Sequence, residues 1–152
     1  MSDFQNLVVE VRRLRKEYGV GEGQRIGILL HGGPDGFVET VVGQRAAMEQ
    51  LARVDSIEPG AGTGVGASAV LPNGAELFLP LEGVIDVDRE RSRMQDEIAR
   101  LEGLLVGVEK RLANEKFVAN APDEVVQKAR ENGAQLQDQA TKLRDKLAGL
   151  GD

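Results

Sequence analysis

Two runs of mostly aliphatic residues, spaced alternately by four and by three, occupy the last third of the chain and leave few folds open to it. The first is Val87, Arg91, Met94, Ile98, Leu101, Leu105, Val108 and Leu112. The second is Val126, Ala129, Gly133, Leu136, Ala140, Leu143, Leu147 and Leu150. Such spacing holds one seam on one face of a helix over many turns. Between the runs lies FVANAP, whose Pro122 cannot continue a helix but can begin one. Asp123 and Glu124 follow, and their charge suits a first helical turn. The pattern predicts a long antiparallel coiled-coil helical hairpin. Each arm has roughly 25 residues, hence about 37 Å. A turn centred near Phe117 sets Leu105 against Ala129, Val108 against Val126, Ile98 against Leu136 and Leu101 against Gly133. A register one heptad along, centred near Asn120 and Ala121, also alternates correctly. The first is preferred because Pro122 puts the second helix's start close after the turn.

A chain of 152 residues holds one compact domain, or a small one with an appendage. The expected division is a small α+β domain over residues 1–86 and a coiled-coil arm over 87–152. With no cysteine, disulfides and thiolate metal sites are excluded. The lone His31 argues against histidine-based metal or acid–base sites, and no cofactor is expected. No apolar run approaches the ~20 residues that cross a membrane, and the N-terminus lacks a secretory pattern. A cytoplasmic location without a membrane partner is the expectation. Net charge is −6, which by itself opposes nucleic-acid binding. The distribution is uneven: up to Asp86 there are 7 Lys and Arg against 12 Asp and Glu, and from Val87 on 12 against 13. The acidity thus sits in the first part, and the arm can carry basic stripes. At 3% aromatics, stacking on aromatic rings is not the main mode of any RNA contact.

Taken in order, Ser2 with Gln5 forms a capping-box pattern. Phe4, Leu7, Val11, Leu14 and Tyr18 predict an amphipathic first helix ending at Gly19. Arg12, Arg13, Arg15 and Lys16 crowd its C-terminal half, either to complement the negative helix end or to meet a phosphate backbone. RIGILLH reads as a short buried strand. Phe37 to Ala52 reads as one helix with Phe37, Val41, Met48 and Leu51 inward, and Val54 to Glu58 as a second strand. PGAGTGVGA reads as a mobile loop. In SAVLPNGAELFLPL, Asn73-Gly74 predicts a two-residue hairpin turn between paired strands. Asp86 is a candidate N-cap for the first arm. The first part is therefore a helix followed by β-α-β-β-β.

ILLHGGPDGF resembles an oxyanion loop of α/β-hydrolases, but that chemistry needs a nucleophile elbow and a base. None of Ser2, Ser56, Ser68 and Ser92 lies in G-x-S-x-G, and the only histidine belongs to the turn. A phosphate cradle at this turn lacks the P-loop Lys-Ser/Thr. Glycines serving a tight turn are the preferred account.

The segments LPLEGVIDVDRE, IARLEGLL, VEKRLANEKFVANAPDEVV and KLRDKL resemble the C-terminal region of bacterial valyl-tRNA synthetases. VRRLRKEYGV, followed after a loop by RIGILL, is similar to the last helix of that family's anticodon-binding domain and the strand after it. The likeness runs over essentially the whole chain, is weakest over residues 31–68, and is most specific in NEKFVANAPDEVV. It implies a tRNA-binding arm that leans on the outer corner of the tRNA, where the D and T loops meet. It also implies a valine tRNA and a synthetase catalytic body as partners. No HIGH or KMSKS motif occurs, so valine–tRNA ligase activity is not expected of this chain alone; an excised module and a free-standing relative both fit.

For the arm, Arg93 and Arg100 share one heptad position, Arg89 and Lys110 lie at an outward one, and Lys128 and Lys142 share one on the returning helix. These six are the candidate phosphate contacts; ordinary solvated coiled-coil charges are the competing account. Gly103 and Gly107 each cost a helix about 1 kcal/mol relative to alanine. Leu104 and Val106 beside them add apolar surface that the seam does not use. The alternative function is a non-catalytic coiled-coil module for protein–protein interaction or self-association.

Overall fold

The computed structural model describes residues 2–151 and is mixed α/β, with six helices and a four-stranded sheet among them. Helix α1 (Asp3–Glu17) begins on the expected capping box: the Gln5 N–H donates to the Ser2 hydroxyl, and the Ser2 N–H to Gln5 Oε1, both at 3.1 Å. Its Leu7, Val11, Leu14 and Tyr18 are buried, and Gly19, left-handed at φ 70°, follows the cap.

The strands are β1 (Ile26–His31), β2 (Val54–Pro59), β3 (Gly66–Val70) and β4 (Glu76–Pro80), in the order β2-β1-β4-β3. β1 and β2 are parallel, which demands a helical crossover between them. β4 then pairs antiparallel with both β1 and β3. Ile26, Ile28 and Leu30 of β1, Leu77 and Leu79 of β4, and Val54 of β2 are all buried, as are Leu7, Val11 and Met48 from the helices. At about 1.5–3 kcal/mol per fully buried aliphatic side chain, this core is the main source of stability in the unit.

Three readings of this part are corrected. The crossover is two helices, α2 (Phe37–Gly43) and α3 (Arg45–Ala52), broken at Gln44 (φ −107°, ψ 27°). The break re-phases α3, so Ala52 is buried with Met48 while Leu51 is 43% exposed. The β3–β4 turn has three residues, not two. Leu71 and Ala75 pair through Leu71 N–H to the Ala75 carbonyl (2.8 Å), and the Gly74 N–H reaches the Leu71 carbonyl (2.9 Å). Pro72 presets the first turn position, and only Gly74 (φ 89°) is left-handed, the form in which a type I turn is followed by an αL residue. Finally, the glycine-rich loop is shorter than expected: Gly66 and Ala67 already belong to β3, and a Cβ on Gly62 or Gly66 would strike the ring of the buried Phe78.

The remaining helices are α4 (Val87–Ala113), α5 (Glu115–Asn120) and α6 (Asp123–Gly149). Asp86 caps α4, its carboxylate accepting from the Arg89 N–H at 3.1 Å. Two compact units result, Arg91–Ala148 and the remainder, the latter including Gly149 and the fully buried Leu150. In the helical unit Leu101, Val108, Leu136 and Ala140 form one buried cluster, flanked by Leu105, Leu112 and Leu143. A Cβ on Gly133 would lie 3.3 Å from Val108 Cγ1 and 3.9 Å from Leu105 Cδ1, and Arg144 pairs with Glu102. Later residues of α6 thus meet earlier ones of α4.

These contacts correct the preferred register. Gly133 faces Val108 rather than Leu101, which is the pairing one heptad along. The cause is Asn114. Its side chain accepts from the Lys116 and Phe117 N–H groups at 3.0 and 3.3 Å, ending α4 and starting the extra turn α5. That turn lengthens the connection before Pro122.

Candidate nucleic-acid interface

The seam turns the aliphatic positions inward and leaves the charged positions of α4 and α6 in solvent. All six candidate cations, Arg89, Arg93, Arg100, Lys110, Lys128 and Lys142, are exposed. At 100° per residue, Arg89, Arg93 and Arg100 fall within about 40° around α4, and Lys110 within about 60° of Arg89. Lys128 and Lys142, separated by four turns, likewise share one side of α6.

Three of these charges, those of Arg100, Lys128 and Lys142, are held by carboxylates on their own helix. Arg100 donates to Glu97 through Nε (3.0 Å) and Nη2 (2.6 Å). That hydrogen bond lowers the pKa of Glu97, with Arg100 and Arg93 adding charge attraction, and it raises that of Arg100. Lys128 lies 3.5 Å from Glu124 and Lys142 3.0 Å from Asp138. Exposed pairs of this kind are weak and screened by salt. They orient the cations without removing them from competition by a phosphate. Arg144, which the heptad reading left out, ties α6 to α4 through Glu102. Arg111 sits 5.8 Å from the centre of the Phe117 ring, a cation–π contact between α4 and α5.

Around the glycines of α4 the surface is open. A Cβ on Gly103 or Gly107 meets no atom within 4 Å, so packing does not require either glycine. Leu104 and Val106 beside them are 47% and 46% exposed.

The basic cluster of α1 divides. Arg13 pairs with Glu10 and Glu17. Arg12 Nε donates to the Leu51 carbonyl at 2.8 Å. Arg15 is buried, its Nη2 donating to the Gly21 and Gln24 carbonyls, each at 2.6 Å. Burial first, and the charge of Arg53 second, push the pKa of Arg15 down. Arg53 comes from the end of α3 and no local pattern linked it to α1. At the His-Gly-Gly turn His31 is exposed, and a Cβ on Gly33 would lie 2.9 Å from that of Ala75, so close packing explains this glycine. Among the described residues no group of His, Cys, Asp or Glu could hold a metal ion, and no helix is long and apolar enough to cross a membrane.

A mixed α/β fold whose two long helices share a buried aliphatic cluster and expose Arg and Lys defines a class of modules that offer a charged helical flank. Residues 86–151 match the family described as the valyl tRNA synthetase tRNA binding arm. Over 148 residues, 97% of the chain, it is 31% identical to a valine–tRNA ligase of Francisella tularensis. It is 37% identical over 145 residues to that of Rhizorhabdus wittichii, and 32% identical over its whole length to that of Cereibacter sphaeroides. The chain spans only 15–16% of the length of these relatives.

Proposed function

We propose that this chain is the tRNA-binding terminal module of a valyl-tRNA synthetase, with the α/β part over residues 1–86 carrying an antiparallel coiled-coil hairpin over 87–152. In this reading the hairpin lies against the folded corner of a valine tRNA, and aminoacylation belongs to a catalytic body outside these residues. The observation that carries the reading is the match of residues 86–151 to the tRNA binding arm family. The Arg89–Arg93–Arg100 stripe supports it, because a folded RNA offers phosphates and 2′-hydroxyls over a broad surface rather than a base edge. A helix flank with point charges about 10 Å apart along its axis, as Arg93 and Arg100 are, suits such a surface.

The test is a gel-shift of the chain with tRNA at low salt, run beside the double variant Arg93→Glu, Arg100→Glu. The variant is expected to bind at least tenfold more weakly, since two attractions become repulsions. Equal affinity would remove these residues from the interface. A second reading, protein–protein docking or self-association, draws on the exposed Leu104 and Val106. It predicts an oligomer by light scattering that a Leu104→Ser, Val106→Ser variant dissolves.

A further inference from the structure

The α/β unit carries its own concentration of positive charge, of a different construction from the heptad stripes. An open groove of about 780 Å³ is lined by Arg12, Arg15 and Lys16 of α1, Arg53 after α3, Leu51 and Glu22. Among the described residues none of the four cations pairs with a carboxylate, whereas the neighbouring Arg13 and Arg25 both do. Glu22, the one acid in the lining, is exposed.

Two features show that these charges are built in rather than scattered. Arg15 is only 7% exposed, and its buried Nη1 has no hydrogen-bond partner, while Nη2 is spent on two neutral carbonyls. A guanidinium keeps its proton when buried, so its charge must be answered from outside the protein or remain unanswered. The charge of Arg53 that acts on it is a like one. Arg53 is also the only described non-glycine residue at positive φ (φ 54°, ψ 43°). Glycine would sit there without penalty, yet the position carries a long, exposed cation at the end of a helix. Arg12, tied by Nε to the Leu51 carbonyl, keeps its two terminal nitrogens for a ligand.

We infer that this groove holds a backbone phosphate of the bound RNA, a second phosphate site on the α/β unit separate from the helical flank. Arg12, Lys16 and Arg53 supply the contacts, and Arg15 supplies fixed field from beneath. The inference rests on the reading of the chain as a tRNA-binding module. A phosphodiester suits the site because a planar guanidinium matches two phosphate oxygens at once.

The experiment measures tRNA affinity of the full chain by fluorescence anisotropy over a salt series, for the protein, a Lys16→Gln, Arg53→Asn variant, and the Arg93→Glu, Arg100→Glu variant. Asparagine tolerates the left-handed backbone and both positions are exposed, so the first variant keeps its fold, which a thermal melt checks. It is expected to bind roughly five- to tenfold more weakly at low salt, with a log–log salt slope shallower by about 1. Nitrogen-15 NMR of the arginine side chains should show Arg53 shifting on addition of tRNA. Unchanged affinity and slope, with the arm variant still impaired, overturns the groove and leaves the arm reading standing. Inorganic phosphate shifting Arg53 while tRNA does not would make it a free-anion site and also overturn the inference. No tRNA binding by the unaltered protein overturns both.

Discussion

Arg15 shows how one side chain can serve the fold and leave charge over. Its Nη2 bridges the Gly21 and Gln24 carbonyls and so shapes the loop between α1 and β1. Replacing it with methionine keeps an unbranched stem and removes the donor, leaving two carbonyls short of a partner. The expected cost is about 2 kcal/mol, partly offset by no longer burying a charge, and a urea titration would read it as a lower midpoint. A lysine there should recover little, since one ammonium lacks the planar fork. Tyr18, three residues on, predicts a pH effect. Burial first, then the charge of Glu17, push its pKa up to about 12. In the unfolded chain the phenol ionises near pH ~10. Between those values the unfolded state has lost a proton that the folded state keeps, so stability falls as pH rises through that window. By pH ~11 the loss is about 1 kcal/mol, and it is absent below the unfolded value. Tyr18→Phe should abolish this part of the alkaline slope; an unchanged slope between pH 9 and 11 would assign it to other groups.

At the scale of elements, the three glycines of the paired helices separate propensity from packing. Gly103 and Gly107 face open space, so alanine at either should stabilise α4 by about 1 kcal/mol, seen as a raised melting temperature. Gly133 carries the same propensity penalty, but its new Cβ would press on Val108 Cγ1 at 3.3 Å. The gain there should be smaller or reversed, and an equal gain at all three would mean the seam is looser than the contacts imply. The same elements show what the residues disclose unaided. The heptad spacing, Asp86 and Pro122 placed both long helices within a residue or so, because capping and periodicity are local physics. The register failed because it depended on Asn114 choosing to cap a new turn, which no heptad encodes. The break at Gln44 was illegible for a similar reason: the chain is helical on both sides, and only packing on β2 separates the two phases. The six candidate cations were chosen by heptad position alone, and all six are exposed. Arg53 was missed because its nearness to α1 exists only once α3 has folded back.

Over the whole molecule, charge poses the sharpest question, since a chain of net charge −6 is proposed to hold a polyanion. Long-range repulsion is screened within about 10 Å at 0.1 M salt, so the sign of the total matters less than where the cations stand. If three or four phosphates are neutralised, each contributing about 0.7–0.9 to the exponent, the logarithm of affinity should fall against the logarithm of salt with a slope of about −3. Raising salt fourfold, from 50 to 200 mM, then weakens binding roughly 60-fold. The repulsive background works the other way: screening it relieves part of the loss, so the observed slope should be shallower than the contact count alone. Neutralising acids of the α/β unit that do not line the groove, such as Glu58 and Glu76, should therefore raise affinity at 50 mM salt and have little effect at 200 mM. Apolar docking through Leu104 and Val106 predicts neither trend. An affinity indifferent to salt, and to those two acids, would make the cations on both units decoration on a surface used for something else.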